Sequence, residues 1–141
     1  MKKLVFSTFL LLLFAVNIMA DNYALLWKQV ENARNKDLPK SELALLRDIS
    51  SLAKREGRYG QLVCAELKCI PVITSVSLDS LQPAVSRLIE QEKQAEKYNS
   101  VLAAVYQSVL GRIYNENPQL GANYKALSRA YFTKSLSNPS L

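Results

Sequence analysis

Apolar residues in this chain recur at steps of three and four over most of its length. That is the period of a helix that buries one side. Over 22–35 the stripe is Leu26, Trp27, Val30 and Ala33, with Lys28, Glu31 and Arg34 on the other side. Asp37-Leu38-Pro39 stops this segment. Asp37 is a capping residue type, and Pro39 fits the first turn of a new helix, where its missing N–H costs nothing. Over 39–56 the face is Leu45, Ile49, Leu52 and Ala53 with Leu46 beside it, and Arg47, Asp48, Ser51, Lys54 and Arg55 point mostly outward. Gly57 follows as a C-terminal stop, because glycine takes the left-handed conformation cheaply.

A third segment begins near Tyr59 or Gln61 and carries Leu62, Ala65, Cys69 and Val72. Pro71 interrupts it, and Val72, Ile73, Thr74 and Val76 are β-branched, so 72–77 also reads as a short strand. A lone strand would have no partner here, which favours a kinked or shortened helix. The fourth segment opens at Asp79-Ser80, holds Pro83 in its first turn and runs to about Tyr98. Leu81, Val85, Leu88 and Ala95 line one side, while Glu90, Glu92, Lys93, Glu96 and Lys97 are expected to form a charged outer face. Residues 99–115 carry two stripes, Leu102/Val105/Val109/Ile113 and Ala103/Tyr106/Leu110/Tyr114. A helix that is apolar on most sides packs between neighbours. Pro118 ends it, and a last segment over 123–135 shows Tyr124, Leu127 and Tyr131 on one face.

Stops near Pro39, Gly57, Asp79, Asn99 and Pro118 cut the chain into amphipathic pieces of similar length. The expected fold is all-α: antiparallel helical hairpins, either tetratricopeptide-like or an irregular α-α array. One helical domain spans 21–135, and 136–141 form a polar C-terminal tail. That tail follows a helix whose apolar face has no obvious polar cap, which predicts that further chain covers it.

The first twenty residues break the pattern. Lys2 and Lys3 precede an uncharged apolar run from Leu4 to Val16, and Ala20 then meets Asp21. This is the layout of a secretory signal peptide over 1–20, with cleavage between Ala20 and Asp21. The run is shorter than the roughly 20 residues of a spanning helix, so no stable membrane span is expected after cleavage. The Lys-Lys start and the Leu/Phe core fit a bacterial leader, placing the remainder in the periplasm or outside the cell.

Composition narrows the function. Of 141 residues, 49% are hydrophobic and 21% charged, which supports a packed core rather than disorder. The formal net charge is +6, and losing Lys2 and Lys3 with the leader lowers it by two. An excess of that size is a solvated surface, without the clustered basic stripe that nucleic acid requires. The chain has no histidine. It therefore lacks the commonest general base and metal ligand, and every His-dependent triad.

The remaining chemistry is sparse. Cys64 and Cys69 stand five apart, about 140° around a helix, where their Cβ atoms cannot approach to the roughly 4 Å of a disulfide. They are read as two small buried hydrophobes, and no further ligands make a metal site with them. Cys64-Ala65-Glu66-Leu67 lacks the glutamine that a thioester needs, since Leu67 stands in its place. Asp48, Glu56, Glu66, Glu90, Glu92 and Glu96 fall on polar faces without forming an acid–base pair. Tyr98, Tyr106 and Tyr114 read as packing residues, and Trp27 as an anchor of the first hairpin. No catalytic residue, cofactor site or metal site is identified.

Three stretches carry a likeness. Leu26-Trp27-Lys28-Gln29-Val30-Glu31-Asn32-Ala33, Lys36-Asp37-Leu38-Pro39-Lys40-Ser41 and Ala53-Lys54-Arg55-Glu56-Gly57-Arg58-Tyr59-Gly60-Gln61-Leu62 resemble the start of large exported alpha-2-macroglobulin-like proteins of the Bacteroidetes. Residues 21–135 fall within the resemblance, Asn123-Tyr124-Lys125-Ala126-Leu127-Ser128-Arg129 included. It implies an exported, helical leading segment of such a protein; with no catalytic machinery in the sequence, the leading reading is a non-enzymatic module whose partner is another protein or the remainder of a larger one. The family traps proteases with β-sandwich domains and often a thioester, and this sequence shows neither. The alternative is a stand-alone periplasmic tetratricopeptide-like adaptor that holds a protein or peptide.

Overall fold

The computed structural model describes residues 22–137. The leader, the Ala20–Asp21 junction and residues 138–141 lie outside the described residues. Every regular element among the described residues is helical: α1 over 22–35, α2 (Pro39–Glu56), α3 (Tyr59–Val76), α4 (Leu81–Glu96), α5 (Ser100–Glu116) and α6 (Tyr124–Leu136). Short 3-10 turns at Leu78–Ser80 and Pro118–Leu120 lead into α4 and α6. The all-α expectation holds, and no strand occurs among these residues. No helix among them is long and apolar enough to cross a membrane.

Two compact units meet between Leu45 and Leu46, within α2. In the first, α1 ends in a left-handed turn. Asp37 has φ +54°, its N–H donates to Arg34 O at 3.0 Å, and the Leu38 N–H donates to Ala33 O at 3.0 Å. This pair of bonds closes the last carbonyls of α1. Asp37 thus terminates α1 rather than capping α2. Arg34 donates Nε and Nη2 to Glu42 Oε1 at 2.8 and 2.6 Å, and Glu42 is buried.

In the second unit α5 is the central helix, packing against α3, α4 and α6. Leu102, Tyr106, Val109, Leu110 and Ile113 are almost entirely withdrawn from water, matching the two stripes expected of a helix between neighbours. Each such large side chain contributes about 1.5–3 kcal/mol. Leu88 and Val85 of α4 and Leu62, Ala65 and Cys69 of α3 complete this core, with Leu46, Ile49 and Ala53 of α2 also fully buried. The inward side of α2 therefore centres on Leu46, while Leu45 and Leu52 are half-buried.

Local chemistry fixes the helix ends. Gly57 has φ +65°; its N–H reaches Lys54 O and the Arg58 N–H reaches Ala53 O, repeating the closure seen at Asp37. Asn99 caps α5: its Oδ1 accepts the Leu102 N–H at 2.9 Å, and its Nδ2 donates to Tyr59 Oη at 3.1 Å. Pro83 sits third in α4, where the N–H would be unpaired anyway.

Two sequence expectations need correction here. Pro71 neither ends α3 nor starts a strand, and the helix continues to Val76. Pro71 is exposed, so its ring meets solvent rather than a packed neighbour. Thr74 Oγ1 donates to the carbonyls of Ile70 and Pro71, and Ser75 Oγ to Val72 O, binding the following turn together. In α6 the inward line is Tyr124, Ser128, Tyr131 and Ser135, with the two serines buried and Leu127 exposed. Small residues win that face because α6 crosses α5 closely at Gly111. A Cβ at Gly111 would lie 2.9–3.0 Å from the Phe132 ring, and Ser128 Oγ donates to Gly111 O at 2.8 Å.

Candidate functional site

Two carboxylates that periodicity assigns to polar faces are withdrawn from water. Glu66 and Glu92 are buried, not solvated. Glu66 Oε2 accepts from Arg87 Nη2 at 2.7 Å. Glu92 Oε1 accepts from Lys134 Nζ and from Gln107 Nε2, both at 2.7 Å, and the same ammonium reaches Glu96 Oε1 at 2.5 Å. The "outer" face of α4 is thus a charged seam joined to α5 and α6. The partners lie far along the chain, Arg87 at 21 residues from Glu66 and Lys134 at 42 from Glu92, so no local spacing announces them.

These contacts move the titrations. The hydrogen bond from Lys134 holds Glu96 below the ordinary carboxylate range. Bonds to Glu92 and then Glu96 raise Lys134 above the ordinary lysine range. Burial is the largest single influence on Arg87 and works against its charge, but the Glu66 hydrogen bond and the surrounding negative charge together outweigh it and its pKa rises. The Glu92 cluster is a connected node in which Lys134 and Gln107 donate to one buried carboxylate and Lys134 also to Glu96.

An open cleft lies on the second unit, with a volume of about 490 Å³. One wall is a stripe along α2, Arg47, Ser50, Ser51 and Lys54, at the three- and four-residue steps that align side chains on a helix. Glu66 of α3, Arg87 and Gln91 of α4 and Tyr106 of α5 close the other side. Tyr106 is buried, its hydroxyl donates to Gln91 Oε1, and burial pushes its phenol far above the usual range, so it remains a protonated donor. Lys54 Nζ stands 5.8 Å from the centre of the Tyr106 ring, within cation–π reach.

The cleft is electrically unbalanced. Arg47, Lys54 and Arg87 face a single carboxylate, Glu66, which Arg87 already engages. Arg47 and Lys54 have no ion-pair partner among the described residues. Ser50 Oγ is screened from solvent and makes no hydrogen bond, an arrangement that costs about 1–3 kcal/mol. The sequence had placed Arg47, Ser51 and Lys54 on a solvated face. Their three- and four-residue steps were visible, but the wall opposite comes from three other helices. No group of three metal-ligating side chains occurs among the described residues.

The other residues singled out in the sequence do not assemble into a site. Cys69 is buried as expected, whereas Cys64 on the same helix is exposed, and no disulfide joins them. Trp27 is half-buried, and Tyr98 is exposed, unlike Tyr106 and Tyr114. Ala20 and Asp21 lie outside the described residues. Comparison with protein-family models, with curated proteins and with solved structures returns no match to this chain.

Proposed function

We propose that this chain is an exported, non-enzymatic helical module that acts by contacting another protein. The supporting observation is the unequal treatment of charge. Glu42, Glu66 and Glu92, the buried carboxylates among the described residues, are each matched by a cation, while Arg47 and Lys54 stand uncompensated beside an orphaned hydroxyl in one cleft. Uncompensated donors gathered in a concavity are what a binding partner satisfies. Ser50 and Ser51 have no hydrogen-bonded base, and Tyr106 keeps its proton, so the cleft is suited to holding a group rather than transforming one.

Two settings suit this role. The resemblance to alpha-2-macroglobulin-like proteins makes the chain the leading helical part of a protease-trapping protein, in contact with the rest of it. Coding sequence for macroglobulin domains directly downstream of Leu141 supports that setting, and its absence in every frame overturns it. The cleft favours the second setting, a stand-alone periplasmic adaptor of tetratricopeptide type. That reading expects a soluble monomer that saturates with one protein ligand, and repeated pull-downs that recover no common partner overturn it. Export has its own check: N-terminal sequencing of the protein from the cell envelope or medium starts at Asp21.

A further inference from the structure

The cleft also points to the chemistry of its occupant. Arg47 and Lys54, seven residues apart on α2, are separated by about 10 Å along the helix axis. Both lack an anionic partner among the described residues, whereas the third cation, Arg87, is held by Glu66 at 2.7 Å. An extended ligand with two anionic groups meets both cations without drawing the two side chains together. An extended peptide in the polyproline II conformation has three residues per turn, so side chains three positions apart lie on one side at about 9 Å. Between the two cations lie Ser50, whose hydroxyl has no partner, and Gln91, whose oxygen is taken by Tyr106 while its amide nitrogen makes no hydrogen bond to a described residue. Such groups suit the unpaired backbone of a polyproline II segment laid along the cleft. The 490 Å³ volume admits a few residues, not a folded domain.

We propose that this cleft binds an extended acidic peptide segment of a protein partner, with carboxylates about three residues apart meeting Arg47 and Lys54. The proposal rests on the partner-contact reading above and gives it a ligand class. Arg87 and Glu66 form the fixed wall, and Ser50 turns from its unpaired position to donate to the bound chain.

The test is an NMR titration of the isotopically labelled full chain with a blocked hexapeptide bearing two glutamates three positions apart. The same peptide with glutamines, inorganic phosphate and succinate serve as the other arms. The expected result is saturable shifts in the amides of 47–54 and 87–91 with the acidic peptide only, weakened as salt rises from about 50 to about 500 mM. Arg47→Gln and Lys54→Gln each reduce affinity about three- to tenfold, while Arg129→Gln, an exposed residue of α6, leaves it unchanged. Unaltered circular dichroism and melting temperature verify that these variants fold.

Equal binding of the glutamine peptide overturns the proposal, as does saturation by phosphate or succinate without peptide binding. Absence of saturable shifts with every probe up to about 5 mM also overturns it. Acidic-peptide shifts confined to another surface remove this site but leave the partner-contact reading standing. That broader reading falls only to the pull-down and downstream-sequence results.

Discussion

At the residue scale, Gly57 isolates a backbone effect from packing. Its φ is +65° and an added Cβ would touch nothing within 4 Å. Gly57→Ala therefore costs about 1–2 kcal/mol through the left-handed backbone alone. Urea unfolding checks this: the midpoint falls and the slope is unchanged. The glycine stop was legible because glycine has one dominant reason to follow a helical run. Asp37 was not, because the same short polar side chain serves an N-cap and a left-handed turn. Which role wins depends on whether the Leu38 N–H closes on Ala33 O, a bond that composition does not display.

Between elements, α5 and α6 approach closely at Gly111. A methyl group there has two opposing effects. Alanine favours a helix over glycine by about 1 kcal/mol. A contact of 2.9–3.0 Å with the Phe132 ring forces that side chain to shift, and overpacking of this kind costs about 1–3 kcal/mol. Gly111→Ala alone is expected to destabilise the protein by about 1 kcal/mol. In a Phe132→Ala background the same change stabilises it by up to about 1 kcal/mol. A double-mutant cycle by thermal or urea unfolding measures the sign reversal, and equal effects in both backgrounds contradict the geometry.

The helices themselves were legible from their period, and their inward faces only roughly. Leu46 rather than Leu45 centres the buried side of α2, and Ser128 with Ser135 displaces Leu127 on α6. Hydrophobicity locates a face to within one residue step. Where two helices approach closely, small size outranks apolarity, and Gly111 gave no local sign that its neighbour would be a phenyl ring. Pro71 misled for a related reason: a proline costs its helix least when its ring faces water, and exposure is a tertiary property.

At the scale of the whole molecule, stability is tied to pH through the Glu92–Lys134–Glu96 node. Glu96 titrates below its ordinary value, so its contribution is complete above about pH 4.5 and is lost as pH falls through the folded pKa. Lys134 titrates above its ordinary value, so its contribution is complete below about pH 10.5 and is lost as pH rises through the folded pKa. Lys134→Met leaves Glu92 buried with only Gln107 as donor, and is expected to cost about 1–2 kcal/mol at neutral pH. The melting-temperature gap between wild type and variant is widest between about pH 5 and pH 10 and narrows on both sides. A gap independent of pH would show that the node contributes packing alone.

The same scale explains why the cleft escaped a reading of the sequence. A stripe such as Arg47, Ser51 and Lys54 is indistinguishable from any solvated helix edge until Arg87, Gln91 and Tyr106 arrive opposite it. Those residues lie between 33 and 52 positions beyond Lys54 and belong to other helices. Periodicity reports on one element at a time, so it registers cores well and concavities poorly.

The unequal exposure of the two thiols has a practical consequence. Cys64 meets solvent and Cys69 is 1% exposed, so a maleimide dye should attach rapidly at one position in the native protein and at a second only after denaturation. Mass spectrometry of the native and urea-treated adducts counts them directly. Cys64 stands two positions before Glu66, about 200° around α3, which turns the dye away from the cation-lined wall. One native cysteine thus furnishes a fluorescent reporter that leaves the peptide groove unobstructed.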